Sequence, residues 1–168
     1  MPASLPESVP IPTDAENIHR VFDWLWSSGQ LSANDITTLP RLGIEVVINL
    51  APPTSSVALP GEAELVTLGN MVYLQIPVSW ERPELHQLMQ FFGALETFSG
   101  CKIWLHCAMN MRASAFIYLY RRLCLGEDEE RSTFPMREVW TPNPVWQQFI
   151  HDAIQHYPHI PRGRQPCI

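Results

Sequence analysis

The stretch Cys101-Lys102-Ile103-Trp104-Leu105-His106-Cys107-Ala108-Met109-Asn110-Met111-Arg112-Ala113-Ser114 decides how this chain is read. A mostly apolar run reaching Leu105 predicts a strand, and it ends at a His-Cys pair. A short loop follows, then an arginine, then a helical pattern from Ala113. Strand, thiol, tight loop and helix in that order present a cysteine to an anion. The loop amides and the helix N-terminus turn their positive dipole ends on the same spot. The same field favours the thiolate, which is the form that attacks.

Upstream, residues 18–26 carry Val21, Phe22, Trp24, Leu25 and Trp26 and predict a first strand or hairpin that ends in a turn at 27–30. Ser32 is placed to cap a short helix over 33–39, which Pro40 disfavours continuing, and Gly43 marks the next turn. Residues 45–50 read as a buried strand, 51–60 as loop, 61–68 as a short helix and 71–77 as a strand. After a loop over 78–82, Pro83 suits the first turn of a helix reaching about residue 98. Leu85, Leu88, Met89, Phe92 and Leu95 share one face of it. Past the strand at 101–106, a helix over 113–124 turns Phe116, Leu119 and Leu123 inward. Residues 126–130 read as a solvated acidic turn, and two further helical segments are expected over 133–140 and 144–157.

Strands alternating with helices predict an α/β fold, a mainly parallel central sheet flanked by helices. Ligands of such sheets bind at the carboxyl ends of the strands, so the loops after 50, over 78–82 and over 107–112 should converge on one edge. Residues 1–17 carry four prolines and no periodicity and are expected to form an extended arm before a single domain over 18–168.

Composition narrows the partners. Hydrophobic residues make up 46% and charged residues 17% of the 168, the proportions of a folded chain and not of a disordered one. Net charge is −6 with no basic run or basic helix face, which argues against nucleic acid. No apolar run approaches the roughly 18 residues that span a bilayer, and the first residues lack a signal-peptide pattern, so no membrane partner and a cytoplasmic location are expected. The four cysteines are irregularly spaced, with no CxxC pair and no zinc-like spacing to the six histidines. Neither a disulfide framework nor a metal or other cofactor is expected. Cys101 and Cys124 read as core thiols and Cys167 as a tail residue.

The loop chemistry points to a phosphorus centre. Cys107 would take the phosphoryl group, the amides of Ala108, Met109, Asn110 and Met111 would hold oxygens, and the Arg112 fork would bind two of them. Ser114, on the first helical turn, is placed to help the sulfur leave, and His106 to support the thiolate through the backbone. Ser28 and Gln30 either reach the rim or form a plain turn, and Trp80 either walls the pocket or packs on the next helix.

At these residues the chain resembles the cysteine-dependent protein tyrosine and dual-specificity phosphatases, nearest to a bacterial branch of small phosphatase-like proteins. Four stretches in order carry the resemblance: Ser28-Gly29-Gln30, Val47-Ile48-Asn49-Leu50, Ile76-Pro77-Val78, and His106-Cys107 with Arg112 and Ser114. It implies a tyrosine-phosphatase-like fold, a phosphorylated substrate or other oxyanion, and no cofactor. Two departures stand out. The family places five residues between cysteine and arginine, whereas four stand here, Ala108 to Met111. Either the loop is one residue shorter, or Arg112 precedes the usual position, now Ala113. Adjacent helical positions differ by roughly 100°, which would turn the guanidinium away. The usual loop glycine is absent too, and Asn110 is the residue there most tolerant of left-handed backbone. The family's mobile loop supplies an aspartate as acid, while 78–83 offers only Glu81.

Three functions follow as expectations. The first is a phosphatase of low or atypical activity acting through a phosphocysteine, with phosphotyrosine among its candidate substrates. The second is a catalytically impaired anion-binding or regulatory module. The third is a rhodanese-like sulfurtransferase, whose reactive loop is also short.

Overall fold

The computed structural model describes residues 9–157; Cys167 and residues 1–8 of the expected arm lie outside them. Five strands form one sheet: β1 (His19–Phe22), β2 (Leu25–Ser28), β3 (Ile44–Asn49), β4 (Val72–Gln75) and β5 (Lys102–His106), in the order β1-β2-β5-β3-β4. The first two form an antiparallel hairpin, and the β2–β5, β5–β3 and β3–β4 pairs are parallel. The helices are α1 (Ala33–Thr38), α2 (Glu62–Leu68), α3 (Leu85–Thr97), α4 (Met111–Leu123), the single turns α5 (Glu129–Ser132) and α6 (Met136–Val139), and α7 (Pro144–His156). This is the expected mainly parallel sheet with helices on both faces.

Period-two alternation divides the core between those faces. Val46, Ile48, Ile103 and Leu105 pack with α3, α4 and α7 around the fully buried Phe91, Phe116 and Trp146. Val47 and Trp104 point the other way, into a smaller cluster with Ile36 of α1 and Val66 of α2. β5 lies between two parallel neighbours and is apolar on both faces, the pattern of a strand covered from above and below.

Several local expectations shift. Pro83 lies outside α3, one residue before the N-cap Glu84, because the Glu84 side chain and Gln87 close a reciprocal cap there. The buried stripe of α3 takes in Phe91 and Ala94 while Leu85 and Met89 are only half-buried, since the helix packs against α4 as well as the sheet. The acidic turn is not merely solvated. Glu127 pairs with the Arg121 guanidinium, which also donates to the Phe134 carbonyl at 2.9 Å, and Asp128 caps α5.

Ser32 caps α1 as expected, in a reciprocal box with Asp35. Asp35 is fully buried and also accepts the amides of Thr13, Asp14 and Ala15 at 2.9 to 3.1 Å. The end of the arm is therefore fastened to the domain. Asp35→Ala removes the carboxylate half of the capping box and leaves the amides of Thr13, Asp14, Ala15 and Ser32 without their acceptor, so unfolding in urea should show a loss of about 2–4 kcal/mol; a loss under about 1 kcal/mol would mean those amides find water instead.

Candidate active site

The parallel registers bring the strand ends level. Ser28 of β2 and Asn49 of β3 both lie opposite His106, and Gln75 lies opposite Asn49. The chain leaves β5 at Cys107 and turns at once into α4, whose N-cap is Asn110 in the left-handed region at φ 66°. Asparagine adopts that conformation more readily than most residues, because its short polar side chain bonds locally. It stands where a glycine would otherwise be needed.

Cys107 lines a cavity of about 170 Å³ with Trp80, Ala108, Met109, Met111 and Arg112. α4 starts at Met111, two residues earlier than expected, so Arg112 sits in its first turn with its side chain on the cavity. Its Nη1 donates to the Val78 carbonyl at 2.9 Å, and the residue is 8% exposed. Asn110 is buried and lies off the cavity; its side-chain amide donates to the Asn17 carbonyl and to Ser27 Oγ. The Ser114 hydroxyl donates its proton to the Met111 carbonyl at 3.0 Å, so in this state it is turned to its own helix and not to the sulfur.

Behind the thiol lies a buried polar network. His106 Nδ1 meets the Cys107 carbonyl and Nε2 meets Glu62 Oε2, each at 3.1 Å. A carbonyl and a carboxylate only accept, so each ring nitrogen of His106 faces an acceptor. Glu62 also accepts from Gln30 Nε2 and from Asn49 Nδ2, the latter at 3.1 Å. Burial alone pushes the Glu62 carboxyl up, but the hydrogen bond and charge of His106, with Tyr73 and Gln30, outweigh it and hold it below the ordinary range. Burial pushes the Tyr73 phenol up, so it remains a donor. Gln30 is thus a structural ligand of Glu62, and Ser28 Oγ accepts the Trp104 indole N–H at 2.8 Å.

The 78–82 loop is held at two points. Arg112 takes the Val78 carbonyl, and Trp146 Nε1 of α7 donates to the Trp80 carbonyl at 3.0 Å. The Trp80 ring walls the cavity and packs on Trp140 and Trp146, at centroid separations of 5.2 and 5.7 Å, so its packing partner is α7 and the segment before it, not α3. Glu81 is exposed beside Ser79 Oγ, 3.4 Å from its carboxylate, and is not part of the cavity wall. The loop after β3 does not join the thiol cavity. α2 packs on the opposite face of the sheet from α4, which carries that loop to a second cavity of about 420 Å³ beside Glu62 and Tyr73. Cys124 is a core thiol, pushed up to about 12 by burial and then by Glu96. Cys101 is only half-buried, with burial and Glu45 raising it.

The fold is that of the tyrosine-phosphatase-like α/β proteins. A DUF442 protein of phosphatase type from Shewanella putrefaciens CN-32 is 33% identical, with 86% of this chain and 95% of that one aligned at a TM-score of 0.76. The present chain belongs to that DUF442 family. Two more distant structures share the fold. The core catalytic domain of the PP-IP phosphatase SIW14 from S. cerevisiae, in complex with citrate, is 20% identical over 86% of this chain and 87% of its own, at a TM-score of 0.64. P. aeruginosa TpbA in complex with pTyr is 16% identical over 83% and 81%, at 0.59. Neither a family model nor a curated protein matches the sequence. Among the described residues, no helix is long and apolar enough to cross a membrane.

Sequence reasoning missed Glu62 and Trp146 as parts of the site. Glu62 reads locally as an ordinary acidic residue of a first helical turn, and Trp146 as core. Glu62 also makes the site pH-sensitive. Its folded carboxyl sits below the ordinary value, so its contribution to stability is complete above the unfolded pKa and is lost as pH falls through the lower, folded one. Thermal unfolding should therefore move to lower temperature as pH drops below about 4, and Glu62→Gln should flatten that dependence; equal slopes for both proteins would show that the pair is not the titrating element.

Proposed function

We propose that this protein hydrolyses a phosphomonoester through a phosphocysteine on Cys107. The observation that supports it most is the sharing of one cavity by Cys107, Arg112 and the loop between them. The Cys107 thiolate attacks phosphorus, the phosphorus–oxygen ester bond breaks, and the leaving oxygen takes a proton from an acid. Water then attacks the phosphocysteine, which releases inorganic phosphate and returns the thiolate. The amides of the 108–111 loop carry the charge on the equatorial oxygens, and Arg112 binds two of them as a fork. Ser114 would help the sulfur leave once its hydroxyl turns from Met111. The apolar walls Trp80, Met109 and Met111 favour an aromatic ester such as phosphotyrosine, the ligand of TpbA. A cytoplasmic location fits a chemistry that needs a reduced thiol.

The acid is assigned to Glu81, the carboxylate beside Trp80. It is exposed and off the cavity wall, so turnover of esters with poor leaving groups should be slow. The pinning of the 78–82 loop favours a second reading, an oxyanion-binding module without turnover.

With reduced protein and an aryl phosphate between pH 5.5 and 7, turnover should be measurable, and Cys107→Ser should abolish it while a tetrahedral oxyanion still binds. Arg112→Lys should lower kcat/KM by about a hundredfold or more, since an ammonium cannot reproduce the two-pronged contact. Absence of turnover in the wild-type protein leaves the binding module. Transfer of sulfur from thiosulfate to cyanide above background would replace both readings. Glu81→Gln should lower kcat on an alkyl phosphate by about a hundredfold and leave a nitrophenyl ester nearly unaffected; equal losses on both esters would remove Glu81 from the acid role.

A further inference from the structure

Of the described residues that line the thiol cavity, Trp80 alone comes from outside the 107–112 segment. That segment holds the thiol and the guanidinium. The Trp80 ring adds an apolar wall, which has nothing to offer a charge and suits the organic group of an ester. Trp80 belongs to no helix or strand, so its place depends on what ties its stretch of chain to the domain.

Two bonds do so, and they are not equivalent. Arg112 Nη1 holds the Val78 carbonyl, but the guanidinium is also the group that must serve an anion. Trp146 Nε1 holds the Trp80 carbonyl itself at 3.0 Å, and an indole has no second donor to divide. Trp146 is fully buried, and the Asn143 side chain accepts its backbone amide at 3.0 Å at the start of α7. Its ring packs on Phe116 and Phe149 at centroid separations of 6.3 and 5.4 Å. Phe116 follows Arg112 by four residues on α4, one turn further along the same face. Helix α4 therefore carries Arg112 at its start and, through Phe116, seats the indole that fixes Trp80. The Trp140 ring also packs on Trp80, at 5.2 Å, but its buried N–H has no partner among the described residues. It supports the ring without tying the backbone.

We propose that Trp146 is a positioning residue for the organic group of the ligand, setting the Trp80 wall against the anion loop through the Trp80 carbonyl. This rests on the anion-site reading of Cys107 to Arg112 given above. Trp146 does not line the cavity and acts only through Trp80. An aryl group that reaches the wall depends on Trp146, whereas a ligand too short to reach it does not.

The test titrates full-length protein by NMR with phenylphosphonate and methylphosphonate, which share a head group, resist hydrolysis and differ in the group attached. The wild type should prefer the phenyl compound by about tenfold. Trp146→Phe keeps an aromatic ring in the core and removes the donor to Trp80. It should bind phenylphosphonate about tenfold more weakly, with methylphosphonate within about twofold of wild type. A general loosening of the core would weaken both ligands alike, and that result overturns the proposal. Unchanged phenylphosphonate binding in the folded variant overturns it too, as does a wild type without preference for the phenyl compound. Trp140→Phe touches the same ring and breaks no hydrogen bond. A loss there as large as in Trp146→Phe would assign the effect to ring packing and overturn the role of the Trp146 N–H. Should Trp146→Phe unfold, replacing the Trp146 indole by benzothiophene, which keeps the bicyclic shape and lacks the N–H, carries the test with the same expected split. A wild type that binds neither phosphonate overturns the anion-site reading and this proposal with it. A wild type that binds both with the expected preference and hydrolyses no ester overturns the phosphatase reading alone.

Discussion

The site depends on one buried interaction, the contact of His106 with the Glu62 carboxylate on one side and the Cys107 carbonyl on the other. Both side chains lie almost wholly out of water. A buried carboxylate is costly unless its hydrogen-bonding positions are filled. Here they are, by Gln30, Asn49 and Tyr73. Replacing the pair by apolar residues of the same shape would give a sheet of similar stability. It would not give a Cys107 carbonyl held at a fixed angle to β5. We therefore read the pair as a device of geometry, which sets the start of the anion loop before any ligand arrives.

From that fixed start the loop is built outward by mutual restraint. Its carbonyls are taken by Gln30 and Asn17, its helix begins at Met111 after the N-cap Asn110, and its arginine ties down the Val78 carbonyl. The 78–82 loop gains a second tether from Trp146. A loop so held positions the Trp80 wall well and swings poorly. An acid carried on it can reach a leaving group only if the substrate places that oxygen near the rim. Rigidity here favours recognition over turnover, which is why a folded site and a fast enzyme are separate claims.

The sheet was legible because its central strands are short apolar runs bounded by Gly and Pro, and because strand and helix periods alternate cleanly along the chain. Ser32 and Gly43 were legible as a cap and a left-handed turn for the same local reason. The pairing of Glu62 with His106 was not. Those residues are 44 apart and meet only because β3 and β5 are neighbours while α2 folds back over their ends. The contacts of the arm were not legible either, since the side chain of Asn17 bonds to a residue 92 positions away. The start of α4 at Met111 was not legible, because Met111 and Arg112 carry no start signal and the left-handed N-cap Asn110 turns its side chain to the arm and β2 instead of capping the helix.

That early start gives the short loop its meaning. Beginning α4 at Met111 places Arg112 within its first turn, at the positive end of the helix dipole. A cation is disfavoured there, and this one is nearly buried, with a neutral carbonyl as its hydrogen-bond acceptor. Both penalties fall when a tetrahedral anion enters the cavity, since the same anion answers the dipole, the guanidinium and the loop amides together.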